Sequence, residues 1–202
     1  MSRTWICTLA VLAIATVLCA GTAMAQIPDD VYFVSYFSNA HGTLDATVRI
    51  DNPGVTSAAN PNGICADIYV FDNTEEQVEC CGCAVTPDDL RTISVNTGLT
   101  DQPSNDIKPT SGVIKIVSAA PNSAGVCDPT GGSSLAKGFV NNIIPTPDVR
   151  AWATHIQATA TTEAPFSDST LTQTELNTLQ EKCFLLRQLG SGRGVCQCGF
   201  GS

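Results

Sequence analysis

The stretch "ICADIYVFDNTEEQVECCGCAV", residues 64–85, contains a reversal between two strand-forming segments. Its first part, 64–71, is rich in β-branched and aromatic residues, which are enriched in strands. The polar run "DNTEE" follows at 72–76, and "QVECC" at 77–81 returns to strand-forming residues. A polar turn between two such segments predicts an antiparallel hairpin. Three cysteines, Cys80, Cys81 and Cys83, lie on its second strand or just beyond it.

Further short segments with the composition of strands lie on both sides of this hairpin, separated by loops rich in Gly, Pro, Asn and Ser. Short strands with such turns, and without alternating helices, are typical of an antiparallel sandwich or barrel. The sequence therefore predicts a mostly β protein, an antiparallel β-sandwich of Ig-like or jelly-roll-like type, over residues 26–158. The predicted strands are 31–37, 44–50, 64–71, 77–81, 91–95, 112–118, 135–142 and 149–158.

One α-helix is predicted after the strands. Thr172 and Glu175 have the spacing of a capping box, in which each side chain satisfies a free backbone amide of the first turn. Gly190 suits the left-handed residue that often ends a helix. The predicted organisation is a Thr-rich connector at 159–171, then a helix and a cysteine-containing tail at 172–202, with the helix either docked on the sandwich or forming an appendage. Residues at three- and four-residue steps share one helical face; they are Leu176, Leu179, Cys183 and Leu186.

Residues 1–25 have the pattern of a secretory signal peptide. The single charge of Arg3 precedes an apolar run over about 5–20, and Ala23 and Ala25 form an A-x-A cleavage pattern. Cleavage there predicts a mature chain that starts at the next residue.

Two alternatives to a cleaved signal peptide are a membrane anchor and a lipid anchor on Cys19. The apolar run is short for a membrane span, which needs roughly 20 apolar residues. Bacterial lipidation favours a small residue before the cysteine, and here Leu18 precedes Cys19. The sequence thus predicts a secreted or cell-surface protein with no membrane span after cleavage.

The formal net charge of −9 restricts the kinds of partner that the protein is expected to bind. Proteins that bind nucleic acid need clustered Lys and Arg, and so do proteins that bind anionic membrane surfaces. The acidic balance therefore argues against both kinds of partner.

The sequence has ten cysteines, of which Cys7 and Cys19 precede the predicted cleavage site. An even number remains, which in an exported chain predicts a disulfide framework. The first alternative is a metal site built from Cys80, Cys81, Cys83, Cys196 and Cys198, and the second is a redox centre. An oxidising compartment and a supply of only two histidines favour disulfides, so no metal and no cofactor is predicted. The cysteines predicted to be bridged are Cys65, Cys80, Cys81, Cys83, Cys127, Cys183, Cys196 and Cys198.

The sequence restricts the pairing of these cysteines but does not determine it, since eight cysteines allow 105 connectivities. Cys80 and Cys81 are adjacent, and because adjacent residues of a strand point to opposite faces, we expect them to have two different partners. The hairpin places Cys65 roughly opposite 81–83, which makes a bridge across the two strands plausible. A flexible tail after the helix favours Cys183 bonding to one of the two tail cysteines.

Catalytic motifs are absent from the sequence: it has no nucleotide-binding loop, zinc-protease motif or nucleophile elbow. His41, near Asp45, and His155 are interpreted as a loop residue and a sheet residue rather than as catalytic bases. Three acidic pairs are interpreted as solvated turns rather than as calcium ligands; they are Asp29–Asp30, Glu75–Glu76 and Asp88–Asp89.

The run "ICADIYVFDNTEEQVECCGCAVTPDDLRTISVN" together with "GSGRGVCQCG" resembles a set of exported cysteine-rich proteins of acidobacteria that carry a YVFD…ECCxC…VTP pattern. The resemblance implies bacterial export, and it implies no activity and no functional residues.

Two functional hypotheses from different classes follow. The first is a secreted, disulfide-stabilised, non-enzymatic β-sandwich that acts as a surface, matrix or adhesion component and binds an extracellular protein or polysaccharide. The second is a secreted thiol- or metal-handling protein that uses the ECCGC and C-x-C cysteines. A hydrolase with dispersed catalytic residues is a third possibility.

Overall fold

The computed structural model describes residues 27–39, 45–54, 63–157 and 160–199, which form two antiparallel sheets and one helix. The predicted leader and His41 lie outside these ranges. The first sheet has the strand order β4-β3-β6-β1-β9 and the second has the order β5-β2-β7-β8. The elements are β1 Tyr32–Ser38, β2 Thr47–Asp51, β3 Ile64–Asp72, β4 Gln77–Val85, β5 Leu90–Ser94, a π-helical turn Val95–Leu99, β6 Ser111–Ala119, β7 Arg150–Gln157, β8 Ala160–Pro165, β9 Ser167–Asp168 and α1 Gln173–Leu189.

These sheets confirm the predicted fold class, a mostly β antiparallel sandwich with one helix near the C-terminus and disulfide stabilisation. The predicted hairpin is also present: β3 pairs antiparallel with β4, from Ile64 opposite Val85 to Phe71 opposite Gln77. Strand β3 is buried along nearly its whole length because it is covered on both faces. One face meets the second sheet, and the other lies under α1 and a loop. Its apolar residues therefore run without alternation, as is usual for strands buried on both sides.

The helix docks on the outer face of the first sheet, which decides between the two predicted arrangements. Leu176 and Leu179 pack with Tyr69 of β3 in a second apolar cluster, separate from the core between the sheets. At the start of the helix, Glu175 accepts hydrogen bonds from the Tyr32 hydroxyl (2.9 Å) and the Lys115 ammonium (2.6 Å). An apolar stripe and a polar anchor therefore fix the helix against the sheet.

The predicted start of the helix at Thr172 is confirmed. The reciprocal half of the predicted capping box is wrong, because the Glu175 carboxylate bonds to Tyr32 and Lys115 instead, and the predicted role of Gly190 is wrong as well. The Thr172 hydroxyl accepts a hydrogen bond from the backbone amide of Glu175 at 3.1 Å, as an N-cap does. Gly190 has φ −74°, and the left-handed positions are Ser191 and Gly192, at φ 50° and 93°. Gly190 still needs to be small, because a Cβ there would lie 2.6 Å from the carbonyl oxygen of Leu186.

Two segments differ from their predictions. The Thr-rich segment 159–171, expected to be a connector, contains β8, whose β-branched threonines pair with β7 at the edge of the second sheet, and β9, which pairs with β1 at the edge of the first sheet. The segment 135–142, expected to be a strand, has only an isolated bridge between Ser134 and Gly138. Its apolar side chain Leu135 is 80% exposed, so no burial holds it as a strand. It belongs to a long loop (120–149) that connects β6 to β7.

The tail after α1 lies along β4, which is an edge strand of the first sheet. The Cys80 amide donates to the Gly194 carbonyl at 3.0 Å, and the Cys196 amide donates to the Cys80 carbonyl at 3.3 Å. The Gln197 amide then donates to the carbonyl of Gly98, in the π-helical turn after β5, at 2.7 Å. The tail therefore contacts both sheets at one side of the sandwich and covers backbone groups that an open edge would expose.

Candidate functional site

Strand β4 carries three closely spaced cysteines, and each is bonded to a cysteine more than a hundred residues away, at separations of 103, 115 and 115. A fourth disulfide, with a separation of 62, ties β3 to the long loop. The four pairs are Cys65–Cys127 (the loop bridge), Cys80–Cys183 (the helix bridge), and Cys81–Cys196 and Cys83–Cys198 (the tail bridges).

Successive side chains of a strand point to opposite faces, so the bridges of β4 lie on two different faces of the sheet. Cys80 lies in the apolar cluster beneath the helix, whereas Cys81 and Cys83 lie in the core between the sheets. The prediction that Cys80 and Cys81 have different partners is confirmed. Cys80 and Cys83 have the spacing C-x-x-C, but because they point to opposite faces they do not form the pair found in redox-active motifs.

Two of the predicted pairings are wrong. Cys183 does not bond to a tail cysteine, because the docked helix brings it against the outer face of β4 while the tail follows the edge of that strand. Cys65 does not form the predicted disulfide with a cysteine at 81–83. In the observed register Cys65 lies opposite Ala84, and it bonds to Cys127 in the long loop instead.

The sulfur atoms of the two tail bridges form a compact group. The Sγ atoms of Cys81, Cys83 and Cys198 all lie within 4.8 Å of one another, and those of Cys81 and Cys83 are 3.9 Å apart. Cys80 faces away from this group, so the five cysteines of the alternative metal site do not converge as one set. Metals bind the thiolate form, and bridged sulfurs are poor ligands. In this oxidised state the group links the tail to the strand.

We expect Cys81→Ser to expose one titratable thiol per chain, that of Cys196, and to release no zinc or copper. Thiol titration in denaturant without reductant, together with elemental analysis of the dialysed protein, measures both quantities. The matched control is Cys183→Ser, which frees one thiol on the opposite face of β4. Metal in stoichiometric amount in the wild type, lost in Cys81→Ser, would contradict a structural role.

The histidine and turn positions identified in the sequence fit structural roles where they are described. His155 is buried and stacks on Tyr36 of β1, with ring centroids 4.4 Å apart. Asp45 accepts a hydrogen bond from the Asn96 amide at 2.9 Å and contacts the Ser94 hydroxyl. In the acidic pairs, residues such as Glu75 and Asp88 have positive φ angles, as turn residues often do.

An acidic cavity, which the sequence analysis missed, lies between β3 and the long loop. It has a volume of about 360 Å³, and its walls include Asp67, Asp128, Lys137 and Asn142. Asp67 is 2% exposed, and its Oδ1 has no hydrogen-bond partner. Burial, followed by the nearby charge of Asp128, raises the pKa of Asp67 to about 8. The sequence feature that could have indicated this cavity is the single carboxylate inside the otherwise apolar run "ICADIYVF".

The outer face of the second sheet forms another candidate surface, here called the open face. A depression of about 340 Å³ on it is lined by Trp152 and four residues of strands β2, β5 and β8. Trp152 also lines a second depression, of about 230 Å³. The residues of the open face around Trp152 are Arg49, Asp51, Leu90 and Glu163.

No protein-family model, curated protein or solved structure matches this chain. Four disulfides are typical of proteins outside the cytoplasm, and they indicate an extracytoplasmic protein. Among the described residues, no helix combines the length and the apolar character that crossing a membrane requires.

Proposed function

We propose that this protein is a secreted or cell-surface, non-enzymatic β-sandwich that binds a neutral polysaccharide on its open face. The observation that carries the proposal is the position of Trp152, on a sheet face with polar side chains around it. An indole ring stacks on the apolar face of a pyranose, and hydroxyl and charged side chains beside it hydrogen-bond to the sugar hydroxyls. The disulfide framework suits such a role outside the cell.

The surroundings of Trp152 favour a glycan over an apolar partner. Cross-strand neighbours on the open face include Arg49, directly opposite Trp152, and the pair Thr47 and Thr154, whose hydroxyls are 2.8 Å apart. Arg49 and Glu163 form an ion pair at 2.8 Å, with side chains 44% and 43% exposed. Donors and acceptors therefore surround the ring at solvent-accessible positions.

Charge favours a neutral glycan over an acidic one. The chain has a formal net charge of −9, which repels polyanions. The cation closest to the indole in register, Arg49, is already paired with Glu163. A neutral polysaccharide therefore matches this face better than an anionic one does.

The binding test uses the tryptophan itself. The sequence has two tryptophans, Trp5 and Trp152, and the predicted signal cleavage leaves only Trp152. The intrinsic fluorescence of the exported chain then reports directly on the proposed site. We expect a saturable fluorescence change with one or more neutral soluble cell-wall or plant polysaccharides, and a mobility shift of the protein in gels that contain them.

In the gel assay, which does not depend on tryptophan fluorescence, we expect Trp152→Ala to weaken binding at least tenfold, which corresponds to about 1.4 kcal/mol, whereas Trp152→Phe retains part of the binding. The matched control is Phe139→Ala, which removes a partly exposed aromatic ring from the long loop and leaves the open face intact. Equal binding by Trp152→Ala and the wild type would refute the proposed site. Failure of the wild type to bind any neutral polysaccharide of the panel would refute the proposed function.

A further inference from the structure

The acidic cavity is enclosed by an unusually long loop that is fixed in place. The long loop connects β6 to β7 over residues 120–149, and loops of that length inside a compact domain are commonly functional. The loop bridge attaches it to β3 through Cys127, next to Asp128. The Tyr69 hydroxyl donates to the carbonyl of Pro129 at 3.0 Å and so holds the residue on the other side of Asp128. The loop backbone around Asp128 is therefore anchored at two neighbouring points.

One oxygen atom of the loop and one of the sheet approach the same point beside β4, where Asp67 also borders the cavity. A Cβ built on Gly82 of β4 would lie 2.6 Å from the carbonyl oxygen of Cys127 and 2.9 Å from Oδ1 of Asp67. Glycine at this position therefore leaves room for a carbonyl and a carboxylate oxygen to approach the same point. Asp67 lines the cavity, is almost fully buried, and offers an Oδ1 that accepts no hydrogen bond.

The second carboxylate is partly engaged in holding its own loop. Oδ1 of Asp128 accepts hydrogen bonds from the Thr130 amide (3.1 Å) and hydroxyl (2.7 Å), and from Arg187 at 3.3 Å. These bonds orient the group, and none of them involves Oδ2. Asp67 is buried and Asp128 is partly exposed, and two neighbouring carboxylates repel each other when both are charged. A buried carboxylate without a donor is unfavourable unless it is neutralised or paired.

We propose that the acidic cavity binds one hard divalent cation, calcium, through the carboxylates of Asp67 and Asp128 and the carbonyl oxygen of Cys127. Calcium takes six to eight oxygen ligands in flexible geometry, and water and the side-chain oxygen of Asn142 complete such a set in this cavity. Lys137 also lines the cavity, but it is an exposed residue whose flexible side chain can extend into solvent. Arg187 already forms an ion pair with Asp128, so the cation mainly compensates Asp67 and gives this carboxylate the partner that it lacks in the protein.

The test uses the full oxidised protein after removal of divalent ions with a chelator. Calcium is titrated by calorimetry, and terbium, a luminescent substitute for calcium, is titrated with excitation of tyrosine. Tyr69 packs beside the cavity and is expected to sensitise the bound terbium. We expect one site per chain with a dissociation constant of about 0.1–1 mM, the range of extracellular calcium modules. Calcium at ten times that constant should raise the melting temperature by about 3–6 °C.

The variants Asp67→Asn and Asp128→Asn separate this site from non-specific binding to an acidic surface. Each should weaken calcium binding more than tenfold and abolish the thermal shift. The control Glu181→Gln removes an exposed helical carboxylate outside the cavity and should leave calcium binding and the thermal shift unchanged. Circular dichroism and the absence of free thiols show that each variant is folded. If Asp67→Asn does not fold, the wild-type stoichiometry and Asp128→Asn decide the question.

Two results would overturn the proposal. One is the absence of saturable calcium or terbium binding by the wild type at up to 10 mM, roughly ten times the weakest constant expected. The other is calcium binding that Asp67→Asn and Asp128→Asn leave unchanged.

Discussion

Replacing all six cysteines of the helix and tail bridges with alanine is expected to lower the free energy of unfolding by about 10 kcal/mol, whereas removing the helix bridge alone costs about 3 kcal/mol and removing both tail bridges about 5 kcal/mol. The reason is that these bridges close nearly the same loop. Whichever forms first closes more than a hundred residues, which corresponds to about 4.7 kcal/mol. Once the helix bridge exists, the first tail bridge closes only the short segment from Cys183 to Cys196, worth about 3 kcal/mol. The second tail bridge then closes a loop of only a few residues, worth about 2 kcal/mol.

Urea denaturation of the oxidised variants at constant pH measures these free energies. The matched control removes the loop bridge, whose loop of 62 residues overlaps the shared one but is not closed by any of the other bridges. Its loss should cost about 4 kcal/mol whether or not the other bridges are present. Since a whole domain typically has about 5–15 kcal/mol of stability, complete reduction should unfold the protein near room temperature. Strictly additive losses, or an unchanged melt after complete reduction, would show that the bridges do not constrain the unfolded chain in this way.

The second large effect concerns Glu79, the residue immediately before the cysteine cluster. Glu79 is fully buried; its Oε1 accepts a hydrogen bond from the Gln102 amide at 2.8 Å, and its Oε2 has no partner. Burial is the main cause that raises its pKa to about 8, with Asp101 raising it further and the Gln102 hydrogen bond and Lys108 lowering it. In the unfolded chain this carboxyl has a pKa near 4.5. The folded state therefore holds a proton that the unfolded state loses between these two values.

Because the folded state binds more protons in that window, Glu79 makes stability fall as the pH rises from about 4.5 to 8. We expect Glu79→Gln to match the wild type at pH 4.5 and to exceed it by about 2–4 kcal/mol above pH 8. Glutamine is suitable because its side-chain oxygen can still accept the Gln102 hydrogen bond. Denaturation curves across this range in calcium-free buffer provide the measurement, and Glu181→Gln is the control. A variant that keeps the pH slope of the wild type would exclude Glu79 as its source.

Local rules account for what could be predicted from the sequence. The hairpin 64–85 and the Thr172 cap depend on residues a few positions apart, and both are present as expected. Alternation along a strand was enough to separate Cys80 from Cys81. The fold class follows from the same local patterns repeated along the chain.

Features that depend on how the layers are stacked could not be predicted in the same way. The partners of Cys65 and Cys183 are determined by which face of β3 or β4 each layer covers, and spacing along the chain does not contain that information. Asp67 and Glu79 resemble ordinary polar residues of half-exposed strands until the helix, long loop and tail cover them. Trp152 stood in a predicted strand, but only the sheet order shows that its face remains open.

The path of the tail along β4 also constrains the order of events during synthesis and oxidative folding. Chains emerge from their N-terminal side, and domains fold as their segments become available. The cysteines of β4 emerge more than a hundred residues before their partners, whereas the loop bridge can close much earlier. During this interval three neighbouring thiols and an unpaired strand edge are exposed together. Correct assembly therefore requires that the cysteines of β4 remain reduced until the tail has emerged, which constrains the timing of oxidation rather than the finished molecule.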